Sequence, residues 1–124
     1  MIKLDVLLRL GRVSNLPTVF TNALAGCVLA GGEGNLLEIV LLSTLALAFF
    51  YEGGMWLNDA FDAEIDAEQR SNRPIPNGEI GVQTVFMGGF TMLAIGVAIA
   101  AMMGRDAGLA AIGLMVAILL YNWL

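Results

Sequence analysis

Hydrophobic residues occupy this chain in long runs that short polar segments separate. Charge-free stretches cover residues 13–32, 39–51, 80–104 and 107–124. Because about 20 apolar residues cross the hydrocarbon core of a bilayer, three of these stretches are long enough or nearly so. The second reaches that length when it is extended to 36–57. The pattern predicts four transmembrane helices, at about 13–32, 36–57, 80–104 and 107–124.

An amphipathic segment precedes the first of these spans. Residues 1–12 place leucine and valine among Lys3, Arg9 and Arg12, which is typical of a helix lying at the lipid surface. A cleaved export signal is an alternative, because Leu24–Cys27 resembles the cleavage box of bacterial lipoproteins. Polar residues inside that apolar stretch and the membranous remainder of the chain favour the interfacial helix.

The composition supports a membrane protein and narrows its chemistry. The chain is 58% hydrophobic and 14% charged, against roughly 45–50% and about 25% for soluble domains. With one cysteine and no histidine, disulfide frameworks, zinc sites and the usual nucleophile–base pairs are excluded. Six of the 11 acidic residues lie between residues 52 and 68. The chemistry therefore rests on carboxylates, and no nucleic-acid partner is expected.

Basic residues are distributed unequally about the four predicted spans. Five flank one side and one flanks the other: Lys3, Arg9, Arg12, Arg70 and Arg73 against Arg105. Cytoplasmic segments carry the excess of lysine and arginine in multi-pass membrane proteins. The distribution predicts an integral membrane protein with its N-terminus and the loop after the second span in the cytoplasm.

An acidic cluster follows the second span directly. Residues 58–66 have the sequence N-D-A-F-D-A-E-I-D. At 100° per residue, four oxygen-bearing side chains project within about 100° of one another: Asn58, Asp59, Asp62 and Asp66. Oxygen ligands without His or Cys favour Mg²⁺, which carboxylates and substrate phosphates hold together. The cluster predicts a magnesium site and a diphosphate substrate, with a solvated polar helix end as the alternative.

Two adjoining segments resemble motifs of a known family. Residues 58–66 match the N-D-x-x-D-x-x-x-D motif of the UbiA superfamily of intramembrane prenyltransferases, and residues 70–80 are similar to its R-P-[IL]-P-x-G-x-I segment. Arg12 with Asn15 is similar to the family's first helix. Tyr121 matches the start of a Y-x-x-x-K motif whose lysine would fall one position beyond the chain.

The resemblance implies a fold and a reaction. The chain is expected to be all-α, forming the front part (residues 1–124) of a nine-helix UbiA-type bundle whose second aspartate motif lies in the later half. The implied partners are an isoprenyl diphosphate and a lipophilic acceptor at the membrane. The magnesium ligands would be Asn58, Asp62 and Asp66, and the catalytic residues would be Asp62 and Asp66. Asp59 would have a supporting role. The donor diphosphate would contact Arg12, Arg70, Arg73 and Tyr121.

Glu52 lies about two turns deeper than the acidic cluster, inside the second span. Ionisable groups at that depth usually face a cavity, so Glu52 and Asn15 are predicted to line the acceptor pocket. A protonated acid bonded to a neighbouring helix is the alternative. Intramembrane acids also mark ion pathways, so an ion-coupled transporter or carrier fragment is the competing function. Arg70 and Arg73 have an alternative role as positive-inside anchors of their loop.

The sequence leaves the acceptor open between an aromatic ring, a quinone precursor, a tetrapyrrole and a lipid alcohol, and it leaves the prenyl chain length open. Because the resemblance places the second acidic motif after Leu124, the 124 residues alone are expected to insert into membranes without catalysing prenyl transfer. A homodimer that brings two acidic helices together is the alternative.

The distribution of basic residues gives a testable topology. Single cysteines placed between Glu68 and Gly78, in a Cys27→Ser background, should react with an impermeant thiol reagent only in inside-out vesicles. Labelling of these cysteines from outside intact cells would reverse the orientation and move the acidic cluster to the other face of the membrane.

Overall fold

The computed structural model describes residues 1–124, and every regular element in it is helical. Four helices are long and apolar enough to cross a membrane, which confirms an all-α, multi-pass membrane protein. The elements in chain order are α1 (Leu4–Gly11), α2 (Leu16–Ala30) after a 3₁₀ turn (Val13–Asn15), α3 (Leu36–Phe61), α4 (Ala63–Gln69), α5 (Val82–Met102) and α6 (Arg105–Trp123).

Helix α3 is the longest element and runs past residue 57, where the second span was predicted to end. Its N-terminus is capped by Asn35, whose side-chain oxygen accepts hydrogen bonds from the backbone N–H groups of Leu37 at 3.1 Å and Glu38 at 3.4 Å. Its 26 residues extend about 39 Å at 1.5 Å per residue, beyond the ~30 Å hydrocarbon core. The last turn, with Asn58 and Asp59, therefore reaches the polar boundary of the membrane.

The acidic segment does not form one straight helix. Helix α3 ends at Phe61 and α4 begins at Ala63, with Asp62 between them at φ −85° and ψ 2°. Backbone hydrogen bonds continue through the break, from Asp62 N to Asn58 O at 3.0 Å and from Asp66 N to Asp62 O at 2.8 Å. The segment predicted as one helix is therefore interrupted at Asp62, where the backbone departs from helical dihedral angles and the chain bends.

Helix α3 is central and contacts α1, α2, α5 and α6. Its closest approach is to α5, where two glycines face each other. A methyl group added at Gly53 would lie 2.9 Å from the Gly89 carbonyl oxygen, and one added at Gly89 would lie 2.7 Å from Leu57 Cγ. Small residues let helices approach closely in membranes, where packing drives association. The close contact between Gly53 and Gly89 therefore sets the distance between α3 and α5.

The core has two parts, one at the C-terminal end of α3 and one along its middle and C-terminal half. The part at the end of α3, beside α1 and the start of α5, holds the buried residues Val6, Leu10, Trp56, Ala60, Ile80 and Val85. The part among α3, α5 and α6 holds Ala46, Phe50, Leu57, Leu93, Ala100 and Ala111. The predicted surface segment is therefore packed onto the bundle through one face, which places α1 beside the end of α3.

The glycine contact gives a stability prediction. Gly53→Ala should lower the free energy of unfolding in detergent by about 1–3 kcal/mol, because the added methyl overlaps the backbone of α5. Gly113→Ala is the matched control, since nothing lies within 4 Å of a methyl group at that position. Thermal unfolding that is equal for the two variants would contradict the close packing.

Candidate active site

The candidate site lies where α3 ends and α4 begins, and its two most buried acids are Asp59 and Asp66. They are 4% and 3% exposed, although both are charged residues at the boundary of a membrane helix. Buried charges are retained when they are paired or bound to a metal. The surrounding basic residues account for much of this compensation.

Arg73 joins the two buried carboxylates. Its Nη1 atom lies 2.5 Å from Asp59 Oδ1 and 3.4 Å from Asp66 Oδ2. Arg12 Nη2 lies 3.6 Å from Asp59 Oδ1, and Arg70 Nη1 lies 3.9 Å from Asp66 Oδ1. Three guanidinium groups thus surround two carboxylates. We call these five residues the ion cluster.

The segment after α4 folds back to bring Arg73 into place. Successive turns are closed by hydrogen bonds from Asn77 N to Arg73 O at 2.9 Å and from Glu79 N to Pro74 O at 3.0 Å. Gly78 has φ +74°, a conformation that glycine adopts without steric cost. Pro74 is buried, so the R-P-I-P segment packs against the bundle as a compact set of turns.

Arg12 reaches the cluster from the other side, at the end of α1. It has φ 48° and is the one non-glycine residue with a positive φ. In this left-handed conformation its backbone N–H bonds to the carbonyl oxygens at the end of α1. Its own carbonyl accepts a hydrogen bond from the Tyr51 hydroxyl at 3.4 Å. The chain therefore turns sharply at Arg12, and its guanidinium group lies beside Asp59.

A second ion pair connects α1 to the loop. Arg9 Nη2 lies 2.5 Å from Glu79 Oε2, and Asn77 Nδ2 donates to Glu79 Oε1 at 3.0 Å. The hydrogen bond from Arg9 lowers the pKa of Glu79, with a smaller contribution from Asn77. Because this pKa is lowered, the Arg9–Glu79 ion pair is intact at pH values above the ordinary pKa range of a carboxyl group. It is lost only as the pH falls through the lowered pKa of Glu79.

The remaining predicted metal ligands lie beside the ion cluster. Asn58 Nδ2 donates to Asp62 Oδ2 at 3.3 Å, and no basic side chain pairs with Asp62. Asp66 Oδ2 is buried without a hydrogen bond; Arg73 is near enough for charge attraction only. Buried polar atoms of this kind require a partner.

The side-chain oxygen atoms of Asn58, Asp62 and Asp66 are suited to binding Mg²⁺. No group of three acidic, His or Cys side chains is placed to enclose a metal ion, but Mg²⁺ commonly takes only one or two carboxylates and completes its shell with water and substrate phosphates. The Asp62 carboxylate, which no basic side chain pairs, fits such a partial ligand set together with Asp66 Oδ2, which accepts no hydrogen bond, and the amide oxygen of Asn58.

Neither of the two main cavities is lined by both Glu52 and Asn15. The Glu52 carboxylate is packed against the end of α1, where a methyl group on Gly11 would overlap its Oε2 atom. Asn15 lines a cavity of about 540 Å³ at the bend between α1 and α2. We call this the α1–α2 cavity.

A mostly apolar cavity of about 620 Å³ lies among α2, α3 and α6. Tyr121 lines it, and Glu52 does not. Its lining residues are Val19, Asn22, Leu47, Phe50, Tyr51, Gly54, Met55, Leu114, Ala117, Ile118, Tyr121 and Asn122. The predicted site residues are thus divided: the arginines and aspartates meet at the end of α3, whereas Tyr121 belongs to this apolar cavity.

Several contacts at the site were not predicted from the sequence. Arg9 and Glu79 are 70 positions apart, and no local pattern indicates their pairing. Asn122 Nδ2 donates to the carbonyl oxygens of Gly54 at 3.4 Å and Ile118 at 3.1 Å, which attaches α6 to α3. The one sequence signal for this contact was that Asn122 is a polar residue within an apolar run.

The fold and the site define a multi-pass membrane protein with a carboxylate and arginine site at one end of a transmembrane helix. The model of the UbiA prenyltransferase family matches residues 19–124, and the chain belongs to that family. Membership favours a transferase over the ion-coupled carrier considered above. No solved structure matches the chain significantly.

Relatives that match the chain include proteins named digeranylgeranylglyceryl phosphate synthase. The chain is 36% identical over 108 residues to the digeranylgeranylglyceryl phosphate synthase of Pyrococcus horikoshii, with 78% of this chain and 39% of that protein covered. It is 32% identical over 117 residues to the protein of the same name from Methanopyrus kandleri, with 94% and 42% covered. The chain therefore spans about two fifths of the length of these relatives.

The central position of Arg73 gives a stability prediction. Arg73→Gln should lower the free energy of unfolding by about 3 kcal/mol, because it leaves two buried carboxylates without their shared partner. Adding Asp59→Asn should restore part of this loss, since one of the buried charges is then removed. Chemical unfolding in detergent measures both effects.

Arg70→Gln is the control for that experiment. Arg70 is 59% exposed and 3.9 Å from Asp66, so its loss should change stability by no more than about 0.5 kcal/mol. The bridging role of Arg73 is wrong if the two arginine variants unfold alike, or if Asp59→Asn destabilises the Arg73→Gln variant further.

Proposed function

We propose that the protein containing this chain is a magnesium-dependent intramembrane prenyltransferase. It moves an isoprenyl group from an isoprenyl diphosphate to a lipophilic acceptor. The observation that carries the proposal is the junction of α3 and α4, where Asp62 has no basic partner and Asp66 Oδ2 has no hydrogen bond beside three arginines. In a member of this family, such a junction is suited to a metal ion and a diphosphate.

Asn58, Asp62 and Asp66 would hold the metal through their oxygen atoms. When bound, Mg²⁺ supplies Lewis-acid stabilisation of the charge that develops on the leaving diphosphate. The hydrogen bond from Asn58 orients the Asp62 carboxylate, and the bend at Asp62 sets the direction in which Asp66 approaches it. We propose Asp62 and Asp66 as the catalytic carboxylates on this basis.

The ion cluster supplies positive charge to the same place. Arg70 is mostly exposed and only loosely paired at 3.9 Å, so its guanidinium is available to diphosphate oxygens. Arg73 adds charge from the loop, and Arg12 adds only longer-range charge from α1. Asp59 has the supporting role of holding Arg73 at 2.5 Å, and it lies 3.6 Å from Arg12.

The apolar cavity among α2, α3 and α6 is suited to the hydrocarbon part of a substrate. It is lined by nine hydrophobic residues, and cavities that bind lipophilic molecules are predominantly apolar with a few polar groups. Tyr121 lines this cavity and would contact the donor there. The distribution of basic residues supports a cytoplasmic position for the site.

The names of the relatives suggest the acceptor class. Because both proteins are named as synthases of digeranylgeranylglyceryl phosphate, we propose a lipid alcohol with a glyceryl phosphate headgroup, already carrying one isoprenyl chain. In the reaction the carbon–oxygen bond to diphosphate breaks, and a carbon–oxygen bond to the acceptor hydroxyl forms. The hydroxyl proton is released, and the product is an ether.

The metal-binding role of Asp62 is directly testable. In the full-length protein, Asp62→Asn should lower the rate of prenyl transfer by a factor of at least about 100, because electrostatic stabilisation of a leaving group contributes that much or more. Protein yield and membrane insertion should be unchanged. Transfer of a radiolabelled isoprenyl group to extracted membrane lipid measures the rate.

Glu64→Gln is the matched control, since Glu64 lies two positions away and is exposed. It should retain nearly full activity. An Asp62→Asn protein as active as the Glu64→Gln protein would remove the basis for the metal assignment.

A further inference from the structure

The α1–α2 cavity is chemically distinct from the larger apolar cavity. It is an open groove at the bend where α1 turns into α2, and four of its six lining residues are polar or charged. The lining residues are Leu8, Arg9, Arg12, Val13, Ser14 and Asn15. Two guanidinium groups, one hydroxyl and one amide therefore line an open groove of about 540 Å³.

We propose that the α1–α2 cavity binds the phosphate monoester of the lipophilic acceptor, with Arg12 as its main ligand. The inference rests on the proposed function for the acceptor class, and it adds the location of the headgroup and the residues that select it. Arginine is suited to this role because its planar set of N–H donors matches phosphate oxygens.

The pairing of the two arginines makes Arg12 the more available cation. Arg9 is held by Asp5 at 3.2 Å and by Glu79 at 2.5 Å. Arg12 has one acidic neighbour, Asp59 at 3.6 Å, and that carboxylate has a much closer partner in Arg73. Arg12 therefore has donors left for an incoming anion, whereas Arg9 contributes mainly long-range charge.

The backbone at Arg12 supports a functional role for its position. A residue with a side chain is unfavourable in the left-handed conformation, and Arg12 is the one non-glycine residue found there. Glycine would meet the turn at lower cost. Unfavourable conformations persist mainly where they place a functional group, and this one places the guanidinium between the α1–α2 cavity and Asp59.

The same placement connects the cavity to the proposed reaction. Arg12 lines the cavity and also contacts the ion cluster, so a phosphate bound to it lies next to the junction of α3 and α4. The hydroxyl of a glyceryl phosphate is only a few bonds from the phosphate. A headgroup anchored here would present that hydroxyl toward the donor diphosphate while its hydrocarbon chain stays in the membrane.

The test measures binding in the absence of metal. Full-length protein in phosphatidylcholine nanodiscs, with EDTA present, is titrated with a fluorescent monoalkylglycerol phosphate and with the same monoalkylglycerol lacking the phosphate. The phosphate compound should bind at least tenfold more tightly. Arg12→Gln should remove most of this preference, Arg12→Lys should keep part of it, and Arg105→Gln on the opposite side should keep all of it.

A gain of affinity distinguishes the proposal from simple misfolding of the Arg12 variant. Asp5 competes for Arg9 and is exposed, so Asp5→Asn should release positive charge into the cavity. Because an exposed ion pair is weak, we expect the phosphate compound to bind about two- to fivefold more tightly. Unchanged or weaker binding in Asp5→Asn, with a normal melting temperature, would contradict the proposal.

A phosphate group could also belong to an ordinary membrane phospholipid. Phosphatidylglycerol, which carries a phosphodiester, should therefore compete at least tenfold less effectively than the monoester. Equal competition would make the cavity a general site for anionic lipid and would overturn its assignment to the acceptor.

The binding assay and the transfer assay separate the two proposals. If Arg12→Gln retains the full preference for phosphate, the headgroup site is wrong even where prenyl transfer is observed. If wild-type protein prefers the phosphate compound by tenfold but transfers no isoprenyl group to any acceptor, the headgroup site is supported and the proposed transferase is overturned.

Discussion

The contact between Arg73 and the two buried carboxylates, Asp59 and Asp66, is the interaction on which the rest of the site depends. A charge on either acid, almost fully buried at the end of a membrane helix, requires compensation, because desolvation of a charge is expensive. Arg73 provides that compensation from a loop that is separate from both acids. It thereby fixes three things together: the direction of α4 after the bend, the path of the loop, and the side to which the metal-ligand candidates are presented.

Helix α3 determines where this contact lies relative to the membrane. Its close packing on α5 through Gly53 and Gly89 leaves little freedom to slide, and its length carries the acidic end beyond the hydrocarbon core. Helix α1 packs on that same end and brings Arg12 to it from the opposite side. The site is therefore assembled from one rigid span with two flanking segments, each held to it by an arginine.

The fold was largely predictable because the length of an apolar run is dictated by the bilayer. The bend at Asp62 was not, since no proline or glycine marks it and the backbone hydrogen bonds continue through it. The site residues could be selected from their type and local spacing, but their pairing depends on contacts between distant segments. The position of Glu52 illustrates this: its depth in the second span was evident from the sequence, whereas its contact with Gly11 depends on how α1 packs on α3.

We propose that the junction of α3 and α4 binds a diphosphate together with magnesium. The most direct measurement is calorimetric titration of the full-length protein with a non-hydrolysable isoprenyl thiolodiphosphate, with Mg²⁺ and then with EDTA. We expect at least tenfold tighter binding with Mg²⁺, because carboxylates and diphosphate repel one another until a cation lies between them. Equal affinity under the two conditions would contradict it.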